Sequence, residues 1–159
     1  MTSTPNRTIA EIEKILQTRK PVVYLTRRAS FCASHRLHVE SLSASDNQRI
    51  FGKCNNPNGH GHNYVIEVTL RAPIDPHTGM TINLTELKAI LNEAIVDELD
   101  HHHLNLDVPL FRHINPTAEN MVVVFWHLLV DRLPDGTLYE VRLQETENNA
   151  SIYRGETGA

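Results

Sequence analysis

Cys54, His60 and His62 lie in one short run, Cys54-Asn55-Asn56-Pro57-Asn58-Gly59-His60-Gly61-His62, and His35 stands upstream in Ala33-Ser34-His35-Arg36-Leu37. Two imidazoles at i and i+2 on a strand point to the same side and can share one ion. A third inward imidazole completes a set that suits zinc. Three neutral ligands leave one coordination position for a substrate or water, as catalytic zinc requires. The thiol of Cys54 precedes the pair on a Gly/Asn/Pro loop beside Lys53. Its thiolate is the reactive form. Two roles stay open for it: a base beside the metal, or a fourth ligand that closes a structural Cys-His₃ site.

Other groups carry weaker chemistry. Asp100-His101 is an acid–imidazole pair suited to proton transfer. The run His101-His102-His103 cannot turn all three rings to one site, so one or two are solvated. Glu145 falls on the apolar face of a strand with Tyr139, Val141 and Leu143. A carboxylate there needs a donor. An internal salt bridge or an amidine-like ligand edge would supply one. Glu119, in the first turn of a helix, is accounted for by the helix dipole. Cys32 reads as an ordinary small strand residue.

These side chains need elements to hold them. Over Val22–His35 the odd positions Val23, Leu25, Ala29, Phe31, Ala33 and His35 are apolar or inward, with Arg27 as the exception. Period-2 alternation predicts a half-buried strand with His35 inward and Cys32 outward. Residues 40–59 read as a long polar loop. A second strand is expected over His60–Arg71, with His60, His62, Tyr64, Ile66, Val68 and Leu70 on one face. A turn at Asp75–Gly79 leads to a short strand at Met80–Ile82. Asn83-Leu84-Thr85-Glu86 resembles a capping box opening a helix over about 83–99. Asn115-Pro116-Thr117 opens a second helix, which Pro134-Asp135-Gly136 stops. Strands at about 138–147 and 150–154 close the chain. The order β-β-α-α-β-β predicts an α+β fold, an antiparallel sheet with two helices on one face.

The chain of 159 residues has a net charge of −4 and ten histidines. Its length fits one domain, residues 21–159, after a polar extension over 1–20 whose Ile9, Ile12, Ile15 and Leu16 could form a short amphipathic helix. That helix is expected to be poorly ordered or packed on a neighbour. There is no basic footprint for nucleic acid and no apolar run of membrane-spanning length. The first twenty residues lack a signal-type apolar region, and Glu11 and Glu13 argue against a transit peptide. Two cysteines make no disulfide framework. A cytoplasmic setting is expected, and it keeps both thiols free.

Taken together, Phe31-x-Ala33-Ser34-His35-Arg36-Leu37, Phe51 to Tyr64, Leu99-Asp100-His101, Pro116-Thr117-x-Glu119-Asn120 and Glu145-Thr146-x-Asn148-Asn149 resemble the 6-pyruvoyl-tetrahydropterin synthase family, in order, over about residues 22–156. The resemblance implies the tunnelling fold (T-fold), in which trimers form a β-barrel and two trimers stack as a homohexamer. It implies a lyase that converts 7,8-dihydroneopterin triphosphate to 6-pyruvoyl-tetrahydropterin with loss of triphosphate, in tetrahydrobiopterin biosynthesis. It implies one zinc per subunit on His35, His60 and His62, and magnesium with the triphosphate. Cys54 matches the proton acceptor, Asp100 and His101 its partners, and Glu145 the pterin anchor. Thr117 and Glu119 match a segment that helps to build the pocket.

The sequence departs from the family at Cys32, where Ser is frequent, and at His102 and His103, where Lys and Asn are common. Two rivals remain. The sister activity, 6-carboxy-tetrahydropterin synthase, usually has a shorter gap between the cysteine and His-x-His than the five residues present. A non-catalytic module with structural zinc would use Cys54 as fourth ligand.

Overall fold

The computed structural model describes residues 7–158. Two long strands, β1 (Val22–His35) and β2 (His60–Pro73), form its centre. They pair antiparallel along their whole length, from Val22 opposite Pro73 to His35 opposite His60. β4 (Leu138–Thr146) adds to β2, with a register shift between Thr69 and Leu70, and β5 (Asn149–Tyr153) adds to β4. The expected alternation holds. Phe31, Ala33 and His35 of β1 and Tyr64, Ile66, Val68 and Leu70 of β2 are buried, while their neighbours face outward.

Helices cover this inner face. The segment expected at 83–99 is helical throughout, as α3 (Leu84–Leu91), a π-helical turn (Asn92–Val96) and α4 (Asp97–Leu99). Its buried leucines and isoleucine step by four: Leu87, Leu91, Ile95 and Leu99. In a pure α-helix each such step rotates by roughly 40°. The wider π turn takes up this drift and keeps the four on one face. Asn83 caps α3 by accepting from Thr85 N–H at 2.9 Å. α6 (Ala118–Leu129), capped by Thr117, packs Met121, Val122, Phe125 and Leu129 into the same core.

Several expectations are corrected. Residues 40–59 are not a plain loop: they hold α2 (Ala44–Phe51) and a 3₁₀ turn (Gly52–Asn55). α2 lacks an apolar stripe, so periodicity could not show it. Asn47, fully buried, holds it instead. Its amide donates to the carbonyls of Val39 and Leu42, and its Oδ1 accepts from Val39 N–H. No strand forms at Met80–Ile82. Met80 O accepts from Asp75 N–H and Met80 N–H bonds the Thr78 hydroxyl, so the local turn uses the groups a ladder would need. The sheet is also mixed, because β3 (His102–His103) lies parallel to β1 opposite Ala33 and Ser34. The sheet order is β3-β1-β2-β4-β5. A short helix, α5 (Leu104–Asp107), follows β3.

The amphipathic segment of the extension forms α1 (Ile9–Thr18), closed by a full capping box between Thr8 and Glu11. It buries no residue, and Ile9, Ile12 and Leu16 are exposed. Residues 1–6 of the extension lie outside the described residues. No helix among the described residues is long and apolar enough to cross a membrane.

Candidate metal centre and its surroundings

The pairing of β1 with β2 brings the three histidines together. His35 is the cross-strand partner of His60, and Ala33 that of His62. One ligand atom from each of His35, His60 and His62 lies within 4.8 Å of the others. This group includes neither Cys54 nor Glu145.

His35 is held firmly. Its Nδ1–H donates to the carbonyl of Pro116 at 2.8 Å, which leaves Nε2 as the lone pair, 3.1 Å from His60 Nε2. Burial, more than the neighbouring imidazoles, pushes the proton affinity of His35 down to about 4. Burial and then His62 lower that of His60. His62 Nε2 and His60 Nδ1 are buried without a hydrogen-bond partner. Buried polar atoms normally find partners. Three converging imidazoles with an orphaned nitrogen are the donor set a zinc ion fits.

Tyr64 continues the His60, His62 ladder on β2 and is fully buried. Its hydroxyl lies 3.5 Å from Glu145 Oε1. Burial first, then Glu145 and Cys54, push its ionisation well above the usual range. Glu145 Oε1 sits 3.7 Å from His35 Nε2 and 3.8 Å from His62 Nε2, beyond firm hydrogen-bond distance. Its carboxylate therefore borders the centre with capacity to spare for a donor edge. Cys54 is half-buried on the 3₁₀ turn that precedes β2, and its carbonyl accepts from Leu37 N–H at 2.9 Å.

Asp100 and His101 are elsewhere. They pair with each other at 2.9 Å. Asp100 Oδ1 accepts the backbone N–H of Cys32 at 2.7 Å, and that bond, followed by His101, lowers its proton affinity. His101 N–H donates to Cys32 O at 2.6 Å, and the residue takes a left-handed φ of 63°. The ring of His101 is 82% exposed. Among the described residues, no hydrogen bond or ion pair joins this dyad to Cys54. The dyad lies on the β3 edge of the sheet.

Thr117 accepts from Asn120 N–H as the cap of α6, and Glu119 is exposed in its first turn. His102 is exposed and His103 half-buried. Sequence reasoning passed over two parts of the centre. Tyr64 had a signal, since it is two residues beyond His62 on the same face. The Pro116 carbonyl had none, because an acceptor on the main chain carries no residue type.

The model of the 6-pyruvoyl tetrahydropterin synthase family matches residues 24–156. The human 6-pyruvoyl tetrahydrobiopterin synthase is 50% identical over 138 residues, 87% of this chain and 95% of that protein. The Drosophila melanogaster protein of the same name is 46% identical over 139 residues, 87% of this chain and 83% of that one. The solved structure of the Caenorhabditis elegans 6-pyruvoyl tetrahydropterin synthase superposes with a TM-score of 0.82 at 42% identity, covering 86% of this chain and 97% of that one. With the T-fold architecture and the match over most of its length, this chain belongs to the 6-pyruvoyl tetrahydropterin synthase family of enzymes.

Proposed function

We propose that the protein converts 7,8-dihydroneopterin triphosphate to 6-pyruvoyl-tetrahydropterin and inorganic triphosphate, in tetrahydrobiopterin biosynthesis. The observation that carries this reading is the three-histidine centre, whose ligand group leaves Cys54 out although the thiol bears on the ionisation of Tyr64 in the same ladder. That arrangement favours an open coordination position over a closed structural site.

His35, His60 and His62 would hold the zinc. When bound, zinc supplies Lewis-acid polarisation of the side-chain oxygens and so acidifies the neighbouring C–H bonds. The Cys54 thiolate takes a carbon-bound proton at Sγ. Triphosphate leaves with the electrons of its C–O bond. The resulting enol tautomerises, the two hydroxyl carbons rise to the diketone level, and hydrogen ends on the pterin ring. Substrate loses only triphosphoric acid, so the sum is elimination plus isomerisation and needs no redox cofactor. Glu145 anchors the amidine edge of the pterin, with Thr117 and Glu119 in the pocket wall. Magnesium accompanies the triphosphate, and the cytoplasm keeps both thiols reduced.

Assembly belongs to the same reading. β3 covers β1 only at Ala33 and Ser34, and β5 is the last strand on the other side. Two open edges on one sheet suit closure into a trimeric barrel, and two such barrels stack as a homohexamer. The Asp100–His101 dyad then serves the Cys54 of an adjacent subunit.

The test incubates zinc-loaded protein and its Cys54→Ala variant with dihydroneopterin triphosphate and magnesium, and identifies the pterin by mass. The parent should give the pyruvoyl product, and the variant should lose about 10²–10⁴-fold in rate while keeping zinc. A carboxy product would move the protein to the sister activity. No product, with zinc lost in the variant, would make the metal structural.

A further inference from the structure

A cleft of about 700 Å³ opens beside the centre, lined by Arg36, His38, Glu40, His103, Arg112 and His113 among others. We propose that this cleft is an anion subsite that holds the triphosphate group of the substrate; the proposal rests on the polyphosphate substrate inferred above.

Charge favours an anion in this cleft. The chain carries a net −4, yet two arginines line this cleft against one carboxylate, Glu40, and three histidines add N–H donors. Arg49, Arg132, Arg142 and Arg154 all make ion pairs with carboxylates. Among the described residues, Arg36 and Arg112 make none; Arg7, Arg19, Arg27, Arg28 and Arg71 make none either, but of these seven only Arg36 and Arg112 line the cleft. Guanidinium forks match phosphate oxygens and bind them in pairs.

The basic groups are also held in place. Arg36 Nε donates to Asn55 O at 3.1 Å, which fixes the guanidinium and leaves its terminal N–H groups over. Asn105 clamps the Arg36 backbone, accepting its N–H at 2.8 Å and donating to its carbonyl at 3.0 Å. The Asn55 amide donates to Leu37 O, and the same nitrogen meets His38 Nδ1 at 2.9 Å. His38 Nδ1 is therefore an acceptor, and the neutral ring keeps its proton on Nε2 as a donor. His103 Nδ1 is buried with no partner.

The cleft adjoins the histidine centre. Arg36 follows His35 in the chain. Asn115, also in the lining, precedes Pro116, whose carbonyl holds His35. Gly59, which precedes His60, has φ 72°, and a Cβ there would come within 2.8 Å of both His103 Nε2 and His35 O. The cleft and the histidine centre thus share a wall. A substrate with its hydroxyls at the centre and its phosphates one carbon further on would enter both.

Inorganic triphosphate with magnesium is the probe, titrated calorimetrically into zinc-loaded protein and its Arg112→Ala, Arg112→Lys and His62→Ala variants. Arg112 is exposed and its side chain makes no hydrogen bond, so its removal leaves the fold intact, which circular dichroism verifies. The expected result is saturable binding that weakens about tenfold in Arg112→Ala, is partly restored in Arg112→Lys, and persists in zinc-free His62→Ala. Absent binding, binding indifferent to Arg112→Ala, or binding lost with the zinc would overturn the subsite. Pyruvoyl product without triphosphate binding would remove the subsite and leave the reaction. Triphosphate binding without that product would do the reverse.

Discussion

His35 is the most constrained of the three imidazoles. It is 1% exposed, tied to Pro116 through Nδ1, and paired across the strands with His60. His62 is the most dispensable for the fold, because its Nε2 has no protein partner to lose. His62→Ala should therefore remain folded and lose its metal; full zinc occupancy by elemental analysis would refute the ligand role. The metal-free protein should also be sensitive to acid. His35 binds a proton only near pH 4 when folded, against an ordinary value of 6.5. Between those values the unfolded chain takes up more protons, so stability falls as pH drops through that window. The cost across the whole window is about 3–4 kcal/mol, and calorimetry should show a lower melting temperature at pH 5 than at pH 7.5. The histidine centre was legible in the sequence because strand periodicity fixes which way each ring points. The His35 tether was not, since it depends on where a distant main-chain carbonyl happens to lie.

At the scale of elements, the long strands and the apolar helices announce themselves by pattern, and α2 does not. Its stability comes from one buried amide rather than an apolar face. Asn47→Ala leaves the Val39 N–H and the Leu42 and Val39 carbonyls without their partner. Each lost bond of this kind costs about 1–3 kcal/mol. The variant should unfold at lower urea, and the Cys54 turn that follows α2 should exchange its amide hydrogens faster; unchanged exchange there would show that α2 does not support the turn. The π turn over Asn92–Val96 was equally hidden. The four-residue spacing of Leu87, Leu91, Ile95 and Leu99 was visible, but a pure α-helix can follow it only with a drifting stripe. The core decides the matter by demanding one face.

For the whole molecule, the outward dyad matters most. Asp100 and His101 sit on one edge of the sheet, while Cys54 lies on the turn before β2, where it bears on the ionisation of Tyr64. On the proposed assembly each reaction centre draws on two chains. Cys54→Ala and His101→Ala proteins, each inactive alone, should regain activity when unfolded together and reassembled. No recovery would place the dyad outside the reaction or tie it to its own chain. The open edges of β1 and β5 were inferable only after the sheet order was known, because strand patterns do not reveal neighbours.

If the centre is shared as proposed, the division of labour has a genetic consequence. A defect at His101 would spare the cysteine and histidines of the subunit that carries it and harm the subunit next to it. In a cell with one sound and one altered gene copy, hybrid particles would keep some working centres and lose others. The deficit would be graded by dose, and two different faults inherited from two parents could partly cancel.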